Sequence, residues 1–378
     1  MIYLDNAATT RMYDECMKEF ERYSLFEYFN PSALYNLSLG VNNSVKNARR
    51  AIASAINADA DEIIFTASGS EADNLAVFGG LKRKNKKLIF SSVEHSAVYN
   101  SALELKNQGY TVIFAPVDGF GRVDAEKFIE LLDEDVILVS IMQVSNETGA
   151  VNDIKKLAEY TKEYAKNALF HVDGVQGFMK IKTNVKNLGI DLYSMSAHKI
   201  HGPKGVGALY IRKGVNLKPI IFGGGQEFGL RSATENVAGI AAFAKAVEIT
   251  SKKEDYGYSR SKELLSYLAD TLLKKYCGHI IVNTDLSNCA PHILSVAFDN
   301  IRGEVMLHAL EKRGIIIGTG SACSSKKSNK RIPLSLRLRS EFFDGMLRIS
   351  LSADNTKNDI DRLIEAIDIE YVSLKNYK

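Results

Sequence analysis

Polar side chains that could do chemistry follow several short apolar runs in the sequence. They differ in type, and they belong to Ser70, His95, Asn146, Asp173, Gln176, Ser196, His198 and Lys199, with Gly69 directly before Ser70. Taken singly, each has an ordinary explanation, because a strand-end Asp is commonly a loop hydrogen bonder and a Lys is commonly a solvated charge. Ligands of doubly wound sheets bind beyond the carboxyl ends of the strands, so we expect these side chains to meet at one edge. Together they offer an acid, a base, amides, hydroxyls and an amine to a single ligand.

Pyridoxal phosphate is a cofactor that would use all of these groups. Its aldehyde needs an amine such as that of Lys199, and its pyridine nitrogen needs an acid such as Asp173. Gly69 and Ser70 begin a helical stretch, whose free amides and dipole suit a phosphate. The residues therefore predict a cofactor with a phosphate and an amine-reactive centre.

Cys323 is set apart from the other cysteines by the small residues around it, "GTGSACSSKK". Cys16, Cys277 and Cys289 lie in helical or strand-like surroundings and are expected to be small core residues. No Cys-x-x-Cys pair and no histidine at zinc-ligand spacing occurs, which predicts neither a zinc site nor a disulfide framework. A reduced, cytoplasmic compartment fits this pattern, as does a first segment, "MIYLDNAATT", without the features of a signal peptide.

The elements expected to position these residues alternate between amphipathic helices and short apolar runs from about residue 45 to 215. The runs are "EIIFT", "KLIFSS", "TVIFAPV", "VILVSIM", "ALFHVD", "DLYSMS" and "GALYIR". Such alternation predicts an α/β domain with a mainly parallel, doubly wound sheet of about seven strands. From residue 256 onward a pattern of helix, strands and helix predicts a smaller α+β domain. We expect residues 14–255 to form the large cofactor-binding domain, and residues 1–13 with 256–378 to form the small domain that carries Cys323.

Length and charge suit a folded protein of two domains. The chain has 378 residues and a net charge of +3, which is too small for a surface that coats nucleic acid. No run of about 18 apolar residues is present to span a membrane. We therefore expect neither direct nucleic-acid binding nor a membrane partner.

The stretch "SAHKIHGPKGVGALYIRK" and nine further motifs run in one order nearly from end to end of the chain. The nine are "YLDNAATT", "NPSALY", "FTASGSEADNLAV", "VEHSAV", "VSNETGAV", "FHVDGVQ", "GGGQEFGLRSATENVAG", "GTGSACSS" and "LRISLS". In order and approximate spacing they resemble the cysteine desulfurases, fold-type I pyridoxal phosphate enzymes of the class V aminotransferase group. Ten ordered motifs make an accidental likeness improbable.

The resemblance implies a role for each residue around the cofactor ring. Lys199 would bond covalently to the aldehyde, Asp173 would pair with the pyridinium nitrogen, and His95 would stack on the ring and move protons. Asn146 and Gln176 resemble the partners of the phenolic oxygen, and Asn146 would also touch the substrate carboxylate.

The same resemblance implies the phosphate cradle and the substrate site. The cradle would comprise Gly69, Ser70, Ser196 and His198. Thr234 matches a threonine that completes the cradle of the neighbouring subunit in a homodimer, and it also precedes a long helical stretch that its hydroxyl is expected to cap. Arg348 matches the arginine that holds the substrate carboxylate, which suits its planar pair of donors.

Cys323 matches the nucleophile, so the implied activity is removal of sulfur from L-cysteine. The products would be L-alanine and a persulfide on Cys323, which is passed to an acceptor protein for iron–sulfur cluster assembly or tRNA thiolation. The spacing between Cys323 and Arg348 is similar to that of the subgroup with a long cysteine loop. No metal is required, although Cys323 could transiently ligate an iron–sulfur cluster in a complex with a scaffold protein.

Other functions remain open at this point. A class V aminotransferase or a selenocysteine lyase would use the same scaffold and cofactor, but a transaminase has no need of Cys323. A sulfur carrier or scaffold without catalysis is a third interpretation. The sequence determines neither the physiological acceptor nor the turnover without a partner.

The sequence departs from the family pattern at several positions. Phe228 and Ala233 alter the glycine-rich motif, which leaves the details of the subunit contact open. After Cys323 the chain is strongly basic, with Lys326, Lys327, Lys330 and Arg331 among its residues. These charges are interpreted either as a solvated loop or as a docking surface for an acidic acceptor or a tRNA-modifying partner.

Overall fold

The apolar runs form the strands of one large sheet in the computed structural model, which describes residues 1–81, 86–319 and 330–376. The strands in chain order are β1 (Ile2–Leu4), β2 (Ile63–Thr66), β3 (Lys87–Ser91), β4 (Thr111–Ala115), β5 (Val136–Met142), β6 (Leu169–Asp173), β7 (Leu192–Ser196), β8 (Gly207–Ile211), β9 (Ile280–Val282), β10 (Ile293–Phe298), β11 (Ile315–Ile317) and β12 (Met346–Ser350). The helices are α1 (Asp14–Glu21), α2 (Asn36–Ala55), α3 (Gly69–Gly79), α4 (Ser96–Asn107), α5 (Ala125–Ile129), α6 (Ile154–Tyr164), α7 (Val237–Ser251), α8 (Ser259–Lys275), α9 (Gly303–Lys312), α10 (Arg331–Ser335) and α11 (Lys357–Asn376).

The large sheet has seven strands in the order β2-β8-β7-β6-β5-β3-β4. Neighbouring strands from β7 to β4 pair in parallel, whereas β8 is antiparallel to both of its neighbours. Because β8 is antiparallel to both β7 and β2, β2 runs in the same direction as the parallel strands. The carboxyl ends of β2, β3, β5, β6 and β7 therefore meet at one edge, and the predicted α/β class is confirmed.

Both faces of this sheet are buried, as expected for a mainly parallel sheet. On β3, Ile89 packs into the core shared with α2, α6 and α7, and its neighbours Leu88 and Phe90 pack into the core shared with α3 and α4. Successive side chains of one strand thus pack against two different layers of helices. Among the described residues, no helix is both long enough and apolar enough to cross a membrane.

A separate apolar cluster joins the first residues of the chain to its last third. Ile2 and Leu4 of β1 pack there with side chains of α8, α9 and α11, and β1 pairs in parallel with β11. The antiparallel sheet β12-β10-β9 belongs to the same region. Ala297 and Met346 of this sheet also join the core of the large sheet. The domain limits, residues 14–255 for the large domain and residues 1–13 with 256–378 for the small one, stay a prediction.

The helix after the glycine-rich segment begins later than the sequence pattern predicts. α7 starts at Val237, and its N-cap is Asn236, whose side chain accepts from the Gly239 N–H at 3.0 Å. The prediction that Thr234 caps this helix is wrong, because Glu235 and Asn236 lie outside the helix and Asn236 supplies the oxygen that the first turn needs.

Candidate active site

A cavity of about 340 Å³ lies at the edge where the parallel strands end. Ten residues singled out in the sequence line it: Gly69, Ser70, His95, Asn146, Asp173, Gln176, Ser196, His198, Lys199 and Arg348. Ala7 and Ala8 of the N-terminal segment line it as well. The strand-end rule predicted that these residues other than Arg348 would lie together, and Arg348 was predicted from the resemblance; the individual roles of all ten remain predictions.

Lys199 enters the cavity from a short 3-10 helix, Ala197–Lys199, that directly follows β7. Its Nζ donates to the carbonyl oxygens of Ala7 at 2.6 Å and of Ala8 at 2.8 Å. The N-terminal segment is fixed in turn, since the Thr10 N–H donates to the His198 carbonyl at 3.0 Å. The amine thus has a defined position between two distant parts of the chain.

Asp173 is the last residue of β6. It is only 5% exposed, and its carboxylate lies beside the cavity. The Val175 N–H donates to its Oδ1 at 3.0 Å. Burial raises the pKa of Asp173, and the nearby His95 and Lys199 oppose this rise. A buried carboxyl held by one backbone donor suits a ligand that brings a positively charged N–H.

His95 is the N-cap residue of α4, and its Nδ1 accepts from the Ala97 N–H at 3.2 Å. Burial lowers the pKa of His95, although the charge of Asp173 acts in the opposite direction. A neutral ring with Nδ1 as acceptor carries its proton on Nε2. One side-chain atom each of Asp73, His95 and Asp173 lies within 4.8 Å of the others.

The start of α3 offers backbone amides to an anion. The Ser68 side chain caps the helix by accepting from the Glu71 N–H at 3.1 Å. A Cβ atom at Gly69 would lie 2.7 Å from Val175 Cγ2 and 3.3 Å from Ser196 Cβ, so only glycine brings the helix this close to β7. Burial chiefly lowers the pKa of His198 to about 3, which leaves it neutral at this edge. The amides and the helix dipole therefore supply the attraction for a phosphate.

Arg348 on β12 also lines the cavity, and only some of its guanidinium N–H donors have hydrogen-bond partners among the described residues. Nη1 donates to the Asn146 carbonyl at 3.0 Å, and Nη2 pairs with Asp5 Oδ1 at 2.9 Å. Its Nε is buried and has no hydrogen-bond partner among the described residues. A carboxylate ligand would satisfy this donor.

Cys323 lies outside the described residues, but the described chain on either side of it contacts or contains residues that line the cavity. Gly318 and Arg348 exchange backbone hydrogen bonds of 2.9 and 2.8 Å. Arg331, the first residue of α10, lines the cavity. Both ends of the segment that carries Cys323 are thus attached beside the candidate site.

Arg331 is half-buried, which contradicts the interpretation of this residue as part of a solvated loop, whereas partner docking by the basic stretch stays a prediction. Its guanidinium donates to the carbonyls of Ser92 at 2.7 Å and Glu94 at 2.8 Å, and it lies 4.1 Å from the centroid of the Tyr99 ring. A basic run is typical of a solvated surface, so the sequence carried no signal for a half-buried arginine at this position. Lys330 is exposed as expected, and Lys326 and Lys327 lie outside the described residues.

Three buried acids that the sequence analysis missed also line the cavity: Asp73, Glu94 and Glu147. Burial raises the pKa of each, and that of Glu94 reaches about 8. In each, one carboxyl oxygen is buried without a hydrogen-bond partner among the described residues, and a protonated carboxyl is less costly to bury in this way than a carboxylate. Glu94 and Glu147 adjoin predicted residues in the sequence, and this adjacency was the available signal.

Two further expectations need correction or restriction. Thr234 is exposed and does not line the cavity of its own chain. Of the cysteines expected in the core, Cys16 is buried, and burial raises its pKa to about 12. Cys289 is half-buried, but Cys277 is exposed, so the core prediction is wrong for Cys277.

Known proteins are similar to this chain in sequence and in fold over nearly their whole length. The family model described as "Aminotransferase class-V" matches residues 2–363. A relative named "Cysteine desulfurase IscS", from Clostridium botulinum, is 39% identical over 375 residues, which cover 97% of this chain and 93% of the relative. The solved structure "NIFS-LIKE PROTEIN" has a TM-score of 0.91 at 35% identity and covers 98% of this chain and 99% of its own. A structure described as "SspA in complex with cysteine" has a TM-score of 0.82 at 29% identity and covers 94% of this chain and 100% of its own.

Proposed function

The chain belongs to the aminotransferase class-V family, and we propose that within it the protein is a cysteine desulfurase. It would remove sulfur from L-cysteine, release L-alanine and hold the sulfur as a persulfide on Cys323. The named relative is a cysteine desulfurase, and the SspA structure contains cysteine. The observation that carries the proposal is one cavity that brings together the Lys199 amine, the buried Asp173 carboxylate and the incompletely paired Arg348.

The residues of the cavity fit pyridoxal phosphate as the cofactor. Asp173 supports the fit because it is buried with a single backbone donor, and Gly69 supports it because a Cβ atom there would collide with Val175, so that only glycine lets the start of α3 lie this close to β7. The residues that would hold the cofactor are Gly69, Ser70, His95, Asn146, Asp173, Gln176, Ser196, His198 and Lys199. When bound, pyridoxal phosphate supplies an aldehyde that reacts with amines and a ring that withdraws electrons from the adjacent carbon.

The chain's own residues would orient the substrate and move its protons. Arg348 would bind the substrate carboxylate through its unsatisfied Nε, with Asn146 beside it. Lys199 Nζ would take the proton from the substrate Cα. His95 carries its proton on Nε2 when neutral, so this atom is the one that could exchange protons with a ligand.

Cys323 would act as the nucleophile in the sulfur transfer. Its thiol must first lose a proton, which His95 or the substrate itself accepts. The thiolate then attacks the substrate sulfur, an S–S bond forms, and the bond between Cβ and sulfur breaks. The electron pair of the broken bond stays with the carbon skeleton, which takes up protons and leaves as alanine with its amino group intact.

We further propose a homodimer that passes sulfur to an acceptor protein, for iron–sulfur cluster assembly or tRNA thiolation. Apolar side chains on the surface support self-association, among them Leu34, Phe222 at 81% exposure and Phe228 at 65%. Phe228 adopts a positive φ of 57°, and its ring lies under the guanidinium of Arg49. Thr234 would complete the cradle of the neighbouring subunit. A reducing, cytoplasmic compartment would keep Cys323 as a thiol.

Alanine and persulfide formation from L-cysteine test the proposal directly. The parent protein should release one alanine per sulfur transferred, and Cys323→Ser should form neither persulfide nor alanine while keeping the visible absorbance of the bound cofactor. Cys277→Ser is the matched control, because Cys277 is exposed and its loss should leave turnover unchanged.

Other outcomes distinguish the alternatives. Continued alanine release by Cys323→Ser would refute Cys323 as the nucleophile. Formation of a 2-oxo acid in place of alanine would indicate an aminotransferase. A protein that binds no pyridoxal phosphate at all would indicate a carrier or scaffold without catalysis.

A further inference from the structure

Lys180 and His292 are buried beside the candidate site, and the proposed chemistry assigns them no task. Lys180 is 3% exposed and His292 is fully buried. Burial lowers the pKa of both well below the usual range, and the charges of Lys199 and Arg348 lower them further. Burying an amine and an imidazole is costly unless their hydrogen bonds do something that apolar side chains could not.

Both side chains lie within hydrogen-bond distance of the same atom, Oε1 of Gln176. Lys180 Nζ donates to it at 3.0 Å, and His292 Nε2 lies 3.3 Å from it. An amide oxygen only accepts, so His292 must carry its proton on Nε2. Its Nδ1 is consistent with this, since it is buried without a hydrogen-bond partner among the described residues.

The other end of the Gln176 amide fixes its orientation. Nε2 donates to the Ala7 carbonyl at 2.8 Å. A rotated amide would place its oxygen against the Ala7 oxygen, and two acceptors repel at that distance. Gln176 is therefore held on both sides, by two donors at its oxygen and one acceptor at its nitrogen.

Ala7 is also the point where Lys199 is held. Its carbonyl accepts from Lys199 Nζ at 2.6 Å as well as from Gln176, and its N–H donates to Ser350 Oγ at 2.9 Å. Movement of the Gln176 amide would thus change the hydrogen bonding of the oxygen to which the Lys199 amine is bonded. The network also joins distant parts of the chain, because Lys180 follows β6 and His292 precedes β10.

We propose that Lys180 and His292 are positioning residues, which hold the Gln176 amide and, through it, the Ala7 carbonyl that receives Lys199. The inference rests on the proposed cofactor site, because Gln176 and Lys199 both line that cavity. It assigns a task to two buried titratable groups, and neither group touches the reacting atoms.

A double-mutant cycle on cofactor binding tests the proposal. The dissociation constant of pyridoxal phosphate and the position of its visible absorbance band are measured for the parent, Lys180→Met, Gln176→Ala and the double variant. We expect each single variant to weaken binding about tenfold, which corresponds to about 1.4 kcal/mol, and to shift the band in the same direction. The double variant should be no weaker than Gln176→Ala alone, because residues that act through one another are not additive.

Three further variants separate positioning from folding. Lys182→Met is the matched control, since Lys182 is exposed two residues away and should leave binding unchanged. Lys180→Gln keeps an N–H donor and should restore binding to within about twofold of the parent, as expected of a hydrogen bond and not of packing. His292→Leu should reproduce the effect of Lys180→Met from the other side of the oxygen. The melting temperature of the cofactor-free proteins reports any loss of folding.

The proposal is overturned if the two single effects multiply in the double variant, or if Lys180→Met and His292→Leu bind the cofactor as tightly as the parent. If Lys180→Met does not fold, a double-mutant cycle of His292→Leu with Gln176→Ala tests the proposal by the same criterion. Absence of pyridoxal phosphate binding by the parent would instead refute the proposed function, so the two failures are distinguishable.

Discussion

Arg331 offers the sharpest test of how the segment with Cys323 is attached to the cavity. Its guanidinium donates to the carbonyls of Ser92 and Glu94, in the connection between β3 and α4 that leads to His95. It also packs on the Tyr99 ring of α4. Replacement by methionine would keep most of the aliphatic contact and remove the charge and its donors.

The size of the effect follows from those contacts. Each hydrogen bond from a charged donor contributes about 1.5–3 kcal/mol, and the cost of burying the guanidinium, which lowers the pKa of Arg331, offsets a part of this. We expect Arg331→Met to lower the free energy of unfolding by about 3 kcal/mol. With an unfolding entropy of about 2.1 cal/mol/K per residue, a chain of 378 residues would lose about 4 °C in Tm.

The same variant should slow the formation of persulfide on Cys323 at least about tenfold, or about 1.4 kcal/mol in activation free energy. The reason is that His95 and the segment with Cys323 lose a common anchor. Thermal unfolding and single-turnover persulfide formation from L-cysteine, without any acceptor, measure the two effects.

Lys330→Met is the matched control, because Lys330 is the adjacent and exposed residue. Identical behaviour of the two variants would refute the reasoning and return Arg331 to the solvated surface. A defect confined to transfer to the acceptor would refute it as well, since it would identify Arg331 as part of a docking surface.

Two further predictions concern the carboxylate and the buried acids. Arg348→Lys keeps a positive charge near Asp5 but loses the Nε donor, so we expect KM for L-cysteine to rise about 10- to 100-fold with cofactor binding unchanged; steady-state kinetics that gave a KM near the parent's would contradict this. Glu94 stays protonated in the folded protein up to about pH 8 but ionises near pH 4.5 when unfolded, so it stabilises the fold below that range and loses this contribution as pH rises through it. Glu94→Gln should therefore make Tm less dependent on pH between about 4.5 and 8, measured by calorimetry, and an unaltered pH profile would speak against a buried protonated Glu94.

The large sheet could be predicted because its strands are short apolar runs separated by amphipathic stretches. The run at residues 136–142 is β5 without any shift, and the run at residues 207–212 is β8 with one residue fewer. The direction of β8 could not be predicted, because a strand buried on both faces has the same apolar pattern whichever way it runs.

Other features depend on contacts that leave no local pattern. β1 has three residues and pairs with β11, more than 300 positions later, so periodicity gives no sign of the pairing. Thr234 and Asn236 are both good N-cap residues, and only the backbone conformation between them decides which one caps α7. Lys180 has the polarity of a surface residue, and the Gln176 oxygen that keeps it buried becomes apparent only in three dimensions.

The chain on the amino-terminal side of Cys323 is coupled to the same arginine that we propose for the substrate carboxylate. Gly318 exchanges two backbone hydrogen bonds with Arg348, and a Cβ atom at Gly318 would lie 2.6 Å from Asp5 Oδ1 and 3.1 Å from Arg348 Nη2. Any side chain at Gly318 would therefore press on the pair of Asp5 and Arg348. The backbone of Arg348 pairs with Gly318, and its guanidinium is the group that we propose for the substrate carboxylate. A bound carboxylate and the chain that leads toward Cys323 would therefore contact the same residue. Substrate binding and the placement of Cys323 are thus expected to depend on one small group of atoms.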